Sequence, residues 1–307
     1  MTKLATNFAK VIRLAPQGPE QKLSLELLSA GLSKTIGSDF GFSNATSDFT
    51  FSDERRSEAL WKDRRWYYSL GLMQASIEAE QSNPSRPLGK SGEWAKYFAS
   101  LSGNPRIQLP QGARTAITAA SAVAASAARR TWRAFTRSHC GIEQLASVLS
   151  ELTSGIDGLP DFHDVFAAHV IVLGVDGLST GIYALDPATF SLVLVRAGDF
   201  TEQTCKLLRG LLAPKSAAFT LVLSADMAAL PDVYHGQLGI REMYVHSGFA
   251  TQKAIEASTV LGLGTLPTPA IPDTMTAELL GIDGVRQNPV YSLTVGTTDP
   301  VGAGAGQ

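Results

Sequence analysis

Hydrophobic positions along this chain change rhythm near residue 168, from helical spacing to short strand-like runs. Before that point, Ile142, Leu145, Val148, Leu149 and Leu152 recur at three- and four-residue intervals, predicting an amphipathic helix over 141–152. Residues 113–135 are Ala-rich and hold neither Gly nor Pro, a composition that predicts a long helix. After it, apolar runs at 170–173, 181–185 and 191–195 are separated by a Gly/Asp turn and by Asp186-Pro187-Ala188, predicting antiparallel hairpin strands. Helices over 201–212, 243–261 and 274–280, strands over 218–224 and 289–296, and a flexible tail over 302–307 complete the pattern. Hairpins mixed irregularly with helices predict an α+β fold and not a doubly wound sheet.

Residues 20–112 have a different texture. They hold three of the four tryptophans, Trp61, Trp66 and Trp94. Residues 53–81 are first charged and then apolar at Leu60, Trp61, Tyr68, Leu70 and Met73, which suits helices. Breakers follow at 83–87, at Gly103-Asn104-Pro105 and at Pro110-Gln111-Gly112. The expected division is therefore a mainly helical extension over 1–112 and a larger domain over 113–307. Trp61, Trp66, Tyr67 and Tyr68 suit either a binding surface or a helical core.

Composition narrows the function classes. The 307 residues are 44% hydrophobic and 18% charged, with a net charge of −2, so no general nucleic-acid or membrane surface is indicated. Cys140 and Cys205 have neither metal-ligand spacing nor a disulfide framework, and no metal site is expected. The N-terminus lacks a signal peptide's apolar core, and no apolar run approaches the ~20 residues that span a bilayer. The expected location is the cytoplasm.

The sharpest charge feature is Arg129-Arg130-Thr131-Trp132-Arg133-Ala134-Phe135-Thr136-Arg137. On a helix, Arg129, Arg133 and Arg137 would share one face. Guanidinium forks with the Thr131 hydroxyl suit a phosphate; a solvated basic helix end is the other reading. Downstream, Leu261-Gly262-Leu263-Gly264-Thr265-Leu266-Pro267-Thr268-Pro269 predicts a turn whose backbone can approach a flat ligand. It lacks the third glycine of a dinucleotide fingerprint and ends a helix instead of opening one. An ordinary helix-to-strand connection is the alternative.

The order of these features along the chain carries more than either alone. Gly181-Ile182-Tyr183-Ala184-Leu185-Asp186-Pro187 precedes Arg196-Ala197-Gly198-Asp199, and Leu221-Val222-Leu223-Ser224-Ala225-Asp226 comes next. Gly248 and Gln252, the LGLGT segment and Leu279-Leu280-Gly281-Ile282-Asp283 then close the series. In this order residues 125–297 resemble the nitroreductase superfamily, and within it the SagB/McbC-type dehydrogenases of thiazole- and oxazole-containing peptide pathways. The resemblance implies an antiparallel sheet flanked by helices, FMN as cofactor, and a homodimer with flavin at the subunit interface. It implies that Arg129, Arg130, Thr131 and Arg133 hold the FMN phosphate or the polar edge of the ring. It also implies that Gln252 lies near the ring and that a turn formed by Pro267, Thr268, Pro269 and Ala270 covers one flavin face.

Azoline-oxidising members of this group carry a Lys-Tyr pair. Here the corresponding stretch holds Val233, Tyr234 and His235, and no lysine under either way of counting. The reaction needs a base for a carbon acid, so His235 is the first candidate and a Tyr234 of lowered pKa the second. His246 stands where the family often has Glu. Basic residues that related enzymes place near the C-terminus are absent from 297–307. The leading expectation is an FMN-dependent dehydrogenase that oxidises azolines to azoles in a ribosomally made precursor peptide, partnered with a YcaO-type cyclodehydratase complex. The alternatives are a general NAD(P)H-dependent nitro or quinone reductase and a non-catalytic scaffold subunit.

Overall fold

A computed structural model of the chain describes residues 92–110, 119–234 and 239–298. The expected helices over 53–81, the aromatics at 61–68, His235 and the C-terminal tail lie outside the described residues. The first described elements are α1 (Glu93–Ser100), β1 (Arg106–Gln108), α2 (Ala119–Ala128), β2 (Cys140–Gly141) and α3 (Ile142–Leu152). Next come α4 (Phe162–Val165), β3 (Phe166–Val172), β4 (Val175–Asp176), β5 (Gly181–Asp186), β6 (Ser191–Ala197) and α5 (Thr201–Leu207). A 3-10 turn (Ala213–Lys215), β7 (Phe219–Asp226), α6 (Leu230–Val233), α7 (Gly239–Val260), β8 (Leu263–Thr268), α8 (Asp273–Leu280) and β9 (Gln287–Thr297) follow.

Seven strands form one sheet in the order β1-β6-β5-β3-β7-β9-β8, and every neighbouring pair is antiparallel. The α+β class and the flanked antiparallel sheet are as the sequence implied. β3 lies mid-sheet with every residue buried, because helices cover both faces. Ala168, Val170 and Val172 face one core, Ala167 and Ile171 the other. A strand covered on both sides reads as an unbroken apolar run, which is how 170–173 reads in the sequence.

On the first face lie Leu145, Val148, Leu149 and Leu152 of α3 with Met243, Ala250, Ala254 and Ile255 of α7. Small side chains on the buried side of α7 let it approach closely. Its Thr251, Ser258 and Thr259 hydroxyls donate to carbonyls four residues back, so those near the core carry no unsatisfied donor. The second face holds Trp94 and Tyr97 of α1, Leu207 of α5 and Leu279 and Leu280 of α8.

Four expectations meet a different outcome. Residues 93–110, assigned to the extension, already pack with the sheet: β1 pairs with β6, and the Trp94 indole donates to the Val165 carbonyl at 3.1 Å. The expected boundary near 112 thus follows a segment that shares the sheet's core. The helix expected over 113–135 ends at Ala128, because the chain beyond it pairs with β8. The helix expected to reach 212 ends at Leu207, where Arg209 and Gly210 take positive φ of 55° and 87°. The turn expected over 261–269 is confined to 261–262, joining helix to strand as the alternative had it, and 263–268 is an edge strand, where proline's missing N–H is tolerated.

Candidate functional site

The arginine segment leaves α2 and runs in extended form along the open edge of β8. Arg129 N–H makes a last helical bond to Ala125 O at 2.8 Å. Thr131 then bridges in parallel to Thr265, and Trp132 N–H donates to Thr265 O at 2.9 Å. Further on, Thr136 N–H donates to Thr297 O at 2.9 Å, so the segment passes from β8 to β9. Arg129, Arg130, Thr131 and Arg133 are exposed, and none of these arginines forms an ion pair among the described residues. Arg129 Nη1 approaches the Thr131 hydroxyl at 3.5 Å. The expected shared helical face does not form. Arg137, with φ of 63°, sits apart in a cleft of about 400 Å³ lined also by His139, Lys215 and Asp199.

Gln252 belongs to α7 and donates to Glu256 Oε1 at 3.0 Å. That oxygen also accepts from Ser126 Oγ at 3.1 Å, one turn before Arg129. The bond pair ties the end of α2, and with it the start of the arginine segment, to Gln252. Pro267 and Thr268 pair with Leu293 and Ser292 of β9 on the strand whose middle carries Thr265. Thr268 Oγ1 is buried without a hydrogen-bond partner among the described residues. Pro269 and Ala270 continue into the loop before α8, where Ala270 O accepts from Arg209 Nε at 2.8 Å. One strand edge thus carries both the basic segment and the 267–270 stretch.

Tyr234 does not have the lowered pKa expected of a base. Its ring is buried at the end of α6, and its hydroxyl lies 2.7 Å from His246 Nδ1. Burial pushes the phenol well above its ordinary value, and the negative charge of Glu242 adds to this. His246 is buried too, edge-on to Phe166, and burial lowers its pKa. The pair is a neutral hydrogen bond in an apolar setting. His246, marked in the sequence only as standing where the family often has Glu, is its second half; the twelve-residue separation gave no signal of the pairing without the α6–α7 packing.

Most carboxylates of the family-like motifs are committed to backbone. Asp186 Oδ1 accepts from Ala188 N–H at 3.0 Å, Oδ2 accepts from the Thr189 hydroxyl at 3.1 Å, and the Arg106 guanidinium also bonds it. Burial alone would raise its pKa, but these donors outweigh burial and hold it below the usual carboxylate range. Asp199 caps the start of α5 through Thr201, and Asp226 accepts from Ala228 and Ala229 N–H. Asp283 accepts from Val285, Arg286 and Gln287 N–H at 2.8–2.9 Å. Arg196 donates to Glu278 O and Leu279 O at the end of α8. These motif residues hold turns and leave the basic segment as the distinctive binding feature. Both cysteines are buried, and burial pushes the Cys140 thiol up to about 12.

The donor set fits a flavin mononucleotide: several guanidinium groups free of ion pairs among the described residues, with a hydroxyl, suit its phosphate, and the adjacent strand offers a proline-bearing edge. Comparison with known proteins identifies the family. The model of the nitroreductase family matches residues 127–297. The trifolitoxin operon protein TfxC of Rhizobium leguminosarum bv. trifolii is 23% identical over 276 residues, 80% of this chain and 76% of TfxC. A protein of Anabaena variabilis whose structure is assigned as a nitroreductase superposes with a TM-score of 0.58 at 20% identity, over 71% of this chain. The chain spans only 49% of that protein's length. A Ralstonia eutropha protein with the same assignment gives 0.51 at 19% identity, over 71% of this chain and 96% of its own. Among the described residues no helix is long and apolar enough to cross a membrane.

Proposed function

Since this chain belongs to the nitroreductase family, we propose that it is an FMN-dependent dehydrogenase that oxidises azoline rings to azoles in a ribosomally made peptide. The observation that carries this reading is the exposed arginine segment, free of ion pairs among the described residues, set on the strand edge that continues into 267–270. The collinear motifs resemble the azole-forming members of the family, and the relative TfxC belongs to a trifolitoxin operon.

Arg129, Arg130 and Arg133 bind the FMN phosphate through charge-assisted bonds, with the Thr131 hydroxyl beside them. The 267–270 stretch flanks the ring and excludes water from one face, and Gln252 orients toward it. FMN, when bound, supplies the acceptor for a hydride equivalent. Aromatising an azoline also removes one carbon-bound proton, which this chain must accept. His235 is the first candidate base, since an imidazole can accept a proton from a carbon acid. Tyr234, held by its bond to His246 with a phenol whose pKa burial raises, is the second candidate. The partners are an azoline-bearing precursor peptide, a YcaO-type cyclodehydratase complex, and a second copy of this chain in the cytoplasm. Exposed Tyr244, Val245 and Phe249 on α7 support the homodimer.

The test is the visible absorption of the purified protein, followed by release and identification of its chromophore. Flavin bands near ~450 nm from FMN, lost in Arg129→Ala or Arg133→Ala, are the expected result. Rapid bleaching by NAD(P)H alone would instead assign a general nitro or quinone reductase. A colourless protein that refuses added FMN overturns both enzyme readings and leaves a scaffold subunit.

A further inference from the structure

Two glycines that the function does not use directly lie opposite each other on adjacent strands: Gly264 of β8 pairs with Gly296 of β9. Directly opposed residues of an antiparallel pair project to the same face, so together they leave a smooth patch without side chains. Two aromatic rings of the arginine segment fill it. A Cβ on Gly264 would come within 2.8 Å of Trp132 Cγ and still closer to Thr298 Cγ2. A Cβ on Gly296 would come within 2.7 Å of Phe135 Cγ. Any other residue at either position would push a ring off the sheet.

We propose that Trp132 and Phe135 are positioning residues, seated on Gly264 and Gly296, that fix where the arginine segment presents its guanidinium groups. The backbone around the two rings is pinned at the same places. Trp132 N–H donates to Thr265 O at 2.9 Å, Phe135 N–H donates to Ser216 Oγ at 3.0 Å, and the Thr136 and Thr297 hydroxyls meet at 2.6 Å. Arg133 lies between the two rings in sequence and Arg129 to Thr131 immediately before the first, so all four ligand residues inherit this placement. A free arginine side chain gives up rotamer entropy when held, and a wandering backbone would add to that loss. Seating the backbone beforehand reduces the ordering that a phosphate ligand must impose. The same contacts explain why the alanine-rich helix does not continue through 135: continuing it would lift both rings from their seats.

The ligand in this inference is the FMN of the proposed function, and the test separates the two. FMN affinity of the apoprotein is measured by fluorescence titration for wild type, Trp132→Ala, Trp132→Phe, Gly264→Ala and the Trp132→Ala/Gly264→Ala double variant. Trypsin cleavage at 129–137 in the absence of FMN is mapped in parallel by mass spectrometry, and thermal unfolding of each apoprotein reports the fold. Trp132→Ala and Gly264→Ala are each expected to weaken FMN binding by about tenfold or more and to speed cleavage of the segment by a similar factor. Trp132→Phe recovers most of both. The double variant is no worse than Trp132→Ala, because the new methyl group then meets only the tip of the Thr298 side chain, which rotates away. Additive losses in the double variant, or FMN affinity and cleavage unchanged in both single variants, would overturn the inference. So would losses that merely follow the unfolded fraction. If wild type takes up no FMN, the proposed function fails, while the cleavage pattern still decides whether the rings seat the segment.

Discussion

His169 shows how a single buried side chain can set acid sensitivity. It sits fully buried in the central strand, with Nε2 at 3.0 Å from the Tyr97 hydroxyl. That hydroxyl also donates to Leu280 O at 3.3 Å, so the His169 Nε2–H is best placed as donor to it. The atom left unpartnered among the described residues is then the Nδ1 lone pair, which costs less than an orphaned N–H. Burial lowers the His169 pKa to about 3. A group whose pKa is depressed by folding contributes stability that is complete above its unfolded value, about 6.5, and lost as pH falls toward the folded one. At pH 5 the deficit from this residue is therefore roughly 2 kcal/mol, from about 1.4 kcal/mol per pH unit. His163 and His246 are lowered as well and act in the same direction. Urea unfolding at pH 7 and pH 5 should show His169→Leu losing about 2 kcal/mol less than wild type between the two. Equal losses in both proteins would show that His169 does not carry this sensitivity.

At the scale of elements, boundaries are set where tertiary partners outbid local preference. Residues 113–135 have the composition of one long helix, yet β8 presents unpaired backbone groups and the glycine patch presents a seat for two rings. Helix α5 shows the reverse case, a stop held by its own side chain. Arg209 occupies the left-handed region, which in most non-glycine residues costs about 1 kcal/mol, and its guanidinium reaches Ala270 O. The conformation and the bond are separable. Arg209→Gly loses the bond and relieves the strain, whereas Arg209→Ala loses the bond and keeps it. Denaturant unfolding should find the alanine variant less stable than the glycine variant by about 1 kcal/mol. Equal stability would mean that the left-handed backbone there is unstrained.

For the whole molecule, the proposed homodimer can be tested on the long helix α7. Tyr244, Val245 and Phe249 are each about half exposed, at 51%, 51% and 53%, on a helix whose other side is core. Gly248 lies among them, and a Cβ there would meet nothing within 4 Å. A mid-helix glycine costs about 1 kcal/mol against alanine, and nothing near it in the described residues requires one. Close approach by a second copy would. Sedimentation at micromolar concentration should find a dimer that Phe249→Glu converts to monomer. Gly248→Ala should stabilise the isolated chain by about 1 kcal/mol while weakening the dimer. A wild-type monomer, or a Phe249→Glu protein that remains dimeric, would remove α7 from the interface.

Sequence alone determined the features that depend on neighbours along the chain. Apolar spacing marked α3, α7 and α8, and unbroken apolar runs marked β3, β5, β6 and β7, because burial of one face or two imposes those periods directly. The arginine cluster and the order of motifs were likewise legible, since residue type and order survive unfolding. The tertiary structure decided what depends on long-range pairing. It brought residue 131 to 265 and 136 to 297, made a strand of 263–268, and put β1 on the sheet edge. It turned Tyr234 toward His246, in a buried setting that raises its pKa. Such contacts join residues far apart in the chain, and their free energy arises only when the sheet has formed, so no local window records them.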